Sequence, residues 1–510
     1  MCFTKDSIRN KKIDRKSKVY ISRKSELKQK SIKINAVINI FRQLCTVLFP
    51  LITIPYVSRV LGTENFGKVN FGSTYVGYFS LLAAFGVNTY AIREGAKLRH
   101  DKEKLDEFCC EIFTFNVITT VISYFCLLLS VIFCKRLSNY IELIWVQSLV
   151  IIFTTIGVDW INVIYEDYLY TTIRYIAVQA ISLVFMFVFV RSPKDYVIYA
   201  MLIVFSKIAG DIVNIFYIRR NYIHIKIVKV IHYRKHFWPM LFLFGNLLAS
   251  TIYVNSDITL LTLFKGDSVT GVYSISVKIY SVAKQLIIAL VSVAIPRVSI
   301  YIGRHDMKSL NVLLDKIMNA ILVLVIPCLF GLFALSKNVM VIIGGNEYEY
   351  GSTALQILTI ALLFALLSYF FVYLAMIPLG LEKKGFITTV LSACINVGLN
   401  LFFIPKFSLN GAAITTVISE CFVMFVSIII IIRNRIKLKI CFKRMIPVLI
   451  GSVSVYVVCV IFIKLIHNIY ISFVLSVFGC VLLYGGILIL FKDELVMGVV
   501  KHMKLKFTNK

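Results

Sequence analysis

The chain has 510 residues, 59% of them hydrophobic and 14% aromatic, with a formal net charge of +29 and a mean hydropathy of +0.84. Apolar runs of about 18 residues or more recur to the C-terminus, which excludes a soluble globular enzyme and reads as a polytopic membrane protein. Each span must satisfy its own backbone in hydrocarbon, and the scarcity of alternating apolar and polar residues points to an all-α bundle rather than a barrel.

Fourteen spans are predicted in chain order, at 35–60, 69–92, 108–134, 139–161, 169–191, 196–218, 237–264, 269–296, 311–335, 353–378, 385–404, 409–432, 445–466 and 469–491. All connections are short, the longest on the outer side running from Ser336 to Ser352. No catalytic domain fits between them. The segments predicted on the inner side carry 39 Lys and Arg against 7 on the outer side, and 27 against 7 without the N-terminal tail. Positive charge is retained in the cytoplasm during insertion, so both termini are predicted to be cytoplasmic.

The positive charge is spread over loops and tails instead of being gathered on one folded face, so topology explains it better than nucleic acid does. The basic tail 1–34 has no apolar core and reads as an insertion-orienting segment; binding to anionic lipid is the alternative. Of twelve cysteines, most fall inside spans, and no CxxC pair occurs. Neither a disulfide framework nor structural zinc is predicted. His232 and His236 have helical spacing but sit among Arg234 and Lys235 in an inner loop, and no metal or cofactor site is read there.

An internal repeat is visible in the turns. "GTENFG", Gly62 to Gly67, follows the first span, and "GDSVTG", Gly266 to Gly271, follows the seventh, 204 residues later. Six spans lie between, so both copies keep one orientation, as in two parallel six-helix halves. The predicted organisation is therefore a tail 1–34, lobes 35–230 and 231–435 around a central cavity, and two trailing helices with a tail, 436–510.

Charges inside spans are expensive, about 2.5–3.5 kcal/mol each at a helix centre, and must be solvated or paired. Three spans carry polar stripes at helical spacing. Asn39, Arg42 and Thr46 share one face of the first span; Asn246, Ser250, Tyr253 and Asp257 share one face of the seventh; Ser274, Lys278, Ser281 and Gln285 do so in the eighth. These stripes are expected to face a wet central cavity, with buried interhelical hydrogen bonds as the competing reading. Lys207 and Asp211, one turn apart in the sixth span, are expected to form a structural ion pair. Lys284 lies off its stripe. Pro50 and Pro55 favour kinks in the first span and are candidate hinges, Arg59 is expected to snorkel to the outer interface, and Gly62 with Gly67 is expected to shape the turn into the second span.

Three segments, "PLITIPYVSRVLGTENFGKVNFG", "VTGVYSISVKIYSVAKQLIIALVSVAIPRVS" and "IPKFSLNGAAITTVISE", resemble the oligosaccharide-unit flippases of the polysaccharide-transporter family, within the superfamily that includes lipid-II flippases and multidrug and toxin extrusion antiporters. The resemblance spans Lys33 to Arg433. It implies two six-helix lobes that alternate between inward- and outward-facing forms, and movement of an undecaprenyl-diphosphate-linked repeat unit to the outer leaflet of a bacterial plasma membrane. It also implies contact with membrane lipids and with polymerase and chain-length machinery. A diphosphate needs fixed cations, for which Arg42 and Lys278 are the candidates, with Lys284 second. Asn39, Asn246, Ser250, Tyr253, Ser281 and Gln285 would meet the sugars. Asp257 and Glu420 sit where acids are common in these proteins and are candidates for charge pairing or ion coupling. A drug or cation antiporter and a lipid-II flippase remain competing readings. An enzyme is disfavoured, because neither a large arginine-bearing outer loop nor a His with a nearby acid at the membrane face is present.

Overall fold

The computed structural model describes residues 32–229, 232–434, 442–493 and 497. The tail expectations for 1–31 and for most of 494–510 lie outside the described residues. Among the described residues, twelve helices are long and apolar enough to cross a membrane. Two of them are bent pairs. Helix α1 (Ile32–Ala84) turns at Gly62, whose φ of 72° no side-chain-bearing residue adopts readily, and the 52-residue helix Glu382–Arg433 turns at Ser408. Counting each half of these two separately recovers the fourteen expected segments.

The remaining elements are α2 (Val87–Leu98), α3 (Lys102–Phe133), α4 (Ile141–Gly157), α5 (Asp159–Ile164), α6 (Tyr168–Phe189) and α7 (Tyr196–Asn221). They are followed by α8 (Tyr233–Lys265), α9 (Asp267–Ser292), α10 (Ile295–Gly303), α11 (Met307–Ala334), α12 (Ser336–Gly344) and α13 (Ser352–Tyr369). The chain ends with α14 (Glu382–Arg433), α15 (Phe442–Leu465) and α16 (Ile469–Leu490). The second predicted span, 69–92, is corrected: its helix is the half of α1 after Gly62, and α2 is a separate amphipathic helix beyond the Gly86 turn. The predicted loop 336–352 likewise folds as α12 and a short 3-10 turn.

Helix α1 packs on α3, α4 and α6 on one side and on α8 and α9 on the other. It is thus the seam of the bundle. Helices α8, α9, α11, α13 and α14 share one apolar core, and α15 and α16 lie against α11. Between α11, α15 and α16 runs an apolar groove of about 530 Å³.

The two repeated turns meet. Gly62 and Gly266 have nearly the same backbone conformation, φ 72° and ψ 175° against φ 88° and ψ 179°. Each then feeds a glycine into the other: a Cβ on Gly67 would stand 1.9 Å from the Asp267 carbonyl oxygen, and one on Gly271 would stand 2.0 Å from that of Thr63. Gly67 therefore serves the crossing of α1 over α9 and not the turn, correcting the sequence expectation. Thr63 Oγ1 and Ser268 Oγ are 2.8 Å apart and Tyr140 donates to Asp267 Oδ1 at 2.7 Å, which closes this end of the bundle. Arg59 does not snorkel freely. Its Nη2 donates to the Ile342 carbonyl at 2.5 Å and satisfies the last turn of α12.

At the opposite end, which carries most of the basic residues, Glu111 of α3 accepts from His232 at 2.8 Å and His236 at 2.7 Å, and Tyr90 of α2 meets the other nitrogen of His236 at 2.9 Å. The histidines read as uninformative from sequence thus clasp α8 to α2 and α3, and His236 is fully buried; this corrects the expectation that no His lies beside an acid at the membrane face. Helix α1 keeps helical geometry through Pro50 and Pro55, its one non-helical residue being Gly62.

Because the glycine crossing leaves no space for a methyl group, Gly67→Ala or Gly271→Ala is expected to destabilise the protein by about 1–3 kcal/mol. Gly398→Ala, where nothing lies within 4 Å of the added atom, is expected to be neutral or slightly stabilising. Thermal unfolding of the three purified variants in one detergent checks this.

Candidate functional site

Polar side chains at membrane depth fall into three groups with different chemistry. The first is locked. Asp257 accepts from Asn400 at 2.6 Å, Tyr273 at 2.8 Å and Thr416 at 3.0 Å, so one buried carboxylate ties α8, α9 and both halves of α14. Asn396 extends the network to Ser256, whose hydroxyl donates to it at 3.0 Å. Three donors on one carboxylate compensate for its loss of water.

The second group is an ion pair. Lys284 of α9 lies 2.9 Å from Glu420 of α14, and Lys284 also packs over the Tyr280 ring, 5.6 Å from its centroid. The Tyr253 hydroxyl lies beside the same carboxylate. The Lys284 charge is already met within the protein, which removes it from the candidate diphosphate ligands.

The third group is open. Lys207 of α7 and Lys278 of α9 both have exposed side chains and lie within electrostatic reach of each other. Neither forms an ion pair within 4 Å among the described residues. Lys207 lines a cavity of about 150 Å³ with Ser73, Ser80 and Gln147. The expected Lys207–Asp211 ion pair is not closed: Asp211 is buried and faces Gly157, where a Cβ would stand 2.6 Å from its carboxylate, while Lys207 lines the cavity, and the two charges act on each other at longer range. Helical spacing alone placed the two side chains one turn apart; it did not fix which way each points.

Around this pair the polar stripes divide. Their halves nearer the glycine crossing are buried: Asp257 is in its network, and Ser274 donates to the Thr270 carbonyl. Toward the basic end they are open: Asn246, Ser250, Lys278 and Gln285 are exposed and Ser281 is half-buried. A cavity of about 350 Å³ lies between Thr46 of α1 and Gln285 of α9. Arg42 is half-exposed one turn from Thr46 and within electrostatic reach of Tyr175 of α6. The side chain of Asn39 lies outside the described residues.

Sequence reading missed Arg174 at the start of α6, which pairs with Asp159 at 2.6 Å. Asn214 donates to the same carboxylate at 2.8 Å. An arginine early in one span and an aspartate at the end of the span before it were the available signal. Among the described residues no group of three or more His, Cys, Asp or Glu side chains is arranged to hold a metal ion.

A polytopic helical bundle closed at one end, with unpaired cations lining its interior, has the form of a membrane transporter. The chain belongs to the polysaccharide biosynthesis protein family, whose profile matches residues 32–301. It is 24% identical over 343 residues to a putative O-antigen transporter of Shigella dysenteriae, an alignment covering 66% of this chain and 84% of that one. It is 22% identical over 392 residues to a putative O-antigen transporter of Escherichia coli K12, covering 76% and 94%. Among solved structures, the lipid II flippase MurJ in an inward closed conformation shares the fold with a TM-score of 0.72 at 17% identity, covering 91% of this chain and all of that one. An inward-facing multidrug resistance MATE family transporter matches with a TM-score of 0.60 at 16% identity, covering 78% and 97%.

If Lys284 and Glu420 compensate each other, either alanine variant leaves a buried charge unpaired and loses stability, and the double variant recovers much of the loss. A thermal-unfolding cycle over the two sites is expected to give a coupling of about 1–3 kcal/mol.

Proposed function

We propose that this protein is a flippase that moves an undecaprenyl-diphosphate-linked oligosaccharide repeat unit from the inner to the outer leaflet of a bacterial plasma membrane, for surface polysaccharide synthesis. One observation carries the reading: Lys207 and Lys278 both have exposed side chains, lie within electrostatic reach of each other, and form no ion pair within 4 Å among the described residues, with Asp211 acting on Lys207 only at longer range. Two like charges repel, and holding both at membrane depth is costly, so the arrangement suits an anion that arrives from outside the protein. A diphosphate supplies about two negative charges and several acceptor oxygens. A cation antiporter would require accessible acids there, but Asp257 and Glu420 are engaged and Asp211 is buried against Gly157. Kinship with putative O-antigen transporters supports a glycan-bearing lipid as the source of that anion.

In this reading the basic end is cytoplasmic, following the positive-inside distribution, and the glycine crossing is the closed outer gate of an inward-facing state. Segments 35–230 and 231–435 are the two lobes. They rock about α1 and α9, so that the Gly67–Gly271 contact opens while the basic end closes. Arg42, near the cytoplasmic mouth, would attract the diphosphate as it enters. No reacting bond is involved, and the protein acts as a transporter and not as an enzyme.

Complementation tests this. In a bacterium whose own repeat-unit flippase is deleted, wild-type protein is expected to restore surface polysaccharide and to clear the accumulated lipid-linked intermediate. Lys207→Ala and Lys278→Ala are each expected to lower surface glycan about tenfold or more at unchanged abundance in the membrane. Wild-type glycan levels in both variants would overturn the assignment.

A further inference from the structure

Beyond Lys278, the α9 face changes chemistry. Seven residues toward the basic end, about 10 Å along the helix axis, Gln285 opens the cavity of about 350 Å³, which is also lined by Gln43, Thr46, Ser292 and Tyr369. No charged side chain is among its lining residues. The polar groups are two amides and three hydroxyls, that of Tyr369 included, and each type can both donate and accept.

Its aromatic member sits at an irregularity of the backbone. Tyr369 ends α13, and the chain continues as a π-helical turn, Phe370–Met376. Such widened turns shift the side chains within and after them, here Tyr373, and recur at functional sites. Tyr369 and Tyr373 stack at 4.9 Å between centroids, with planes 23° apart, and Tyr373 is 53% exposed. The stacked partner fixes the orientation of the ring that borders the cavity.

We propose that this cavity is a binding subsite for an uncharged sugar ring, the one that follows the diphosphate, with Tyr369 as its platform. A pyranose presents C–H groups on its faces and hydroxyls around its rim. The electron-rich face of an aromatic ring matches the first, and amides and hydroxyls match the second. A few convergent polar groups in an otherwise apolar pocket is the form that small-molecule sites take. A cationic ligand would meet no acid in this lining, and an anionic one no base. This inference rests on the flippase reading, because it takes the diphosphate at Lys207 and Lys278 as the fixed point from which the glycan extends toward the basic end.

The test compares lipids with and without a sugar, using the purified full-length protein in nanodiscs. Binding is measured for undecaprenyl diphosphate and for a panel of undecaprenyl-diphosphoryl monosaccharides bearing glucose, galactose, N-acetylglucosamine or N-acetylgalactosamine. For wild type, at least one sugar is expected to raise affinity about tenfold over the bare lipid. Tyr369→Leu is expected to lose that increment while binding bare undecaprenyl diphosphate within about twofold of wild type, and Tyr369→Phe to keep most of it. Gln285→Ala should lose part of the increment, whereas Lys278→Ala should weaken bare and glycosylated lipids alike.

If no sugar improves on the bare lipid, or if Tyr369→Leu weakens both lipids equally or neither, the subsite is overturned. A wild-type protein that binds neither kind of lipid overturns the flippase reading instead, so the two failures are distinguishable.

Discussion

An ammonium group at membrane depth is stable only if water, a carboxylate or an arriving anion reaches it. The architecture of this protein follows from how it meets that constraint at three lysines on two helices. Lys284 is met by Glu420 within the protein, so it holds α9 to α14. Lys207 and Lys278 have exposed side chains within electrostatic reach of each other and no ion pair within 4 Å among the described residues, so water must reach them whenever no anion does. Had the bundle collapsed around them, both charges would carry a desolvation cost with no compensating partner.

The bundle stays apart at this level because it is pinned elsewhere. At one end, two glycines let the α1 and α9 backbones cross closer than any side chain permits. At the other, Glu111 and His236 hold α8 against α3. Between the pins, the half of α1 before the Gly62 turn stands off α9 and leaves room at Thr46 and Gln285. The stripes visible in the sequence are thus used twice, as packing contacts near the crossing and as cavity wall beyond it.

Much of this was legible in the sequence, and the gaps have physical causes. The spans followed from hydropathy. The repeat of two glycine turns 204 residues apart predicted related halves, and the structure sets those turns face to face with nearly the same dihedral angles. Short amphipathic helices such as α2 and α12 were read as span or loop, because their apolar residues are too few to stand out beside the spans. The direction in which Lys207 points was not legible, since a four-residue spacing allows pairing with Asp211 without requiring it. Nor was the Glu111–His236 clasp, which joins positions 125 residues apart and left no local pattern. Tyr369 escaped notice because it ends a long apolar helix, where hydropathy marks it only as part of a span.

The most direct test of the central claim is whether the two open lysines form one anion site. Binding of undecaprenyl diphosphate and of uncharged undecaprenol to the purified protein is compared across wild type, Lys207→Ala, Lys278→Ala and the double variant. The account predicts selective binding of the diphosphate, weakened by salt and lost non-additively in the variants. Equal binding of both lipids, or wild-type affinity for the diphosphate in the double variant, would contradict it.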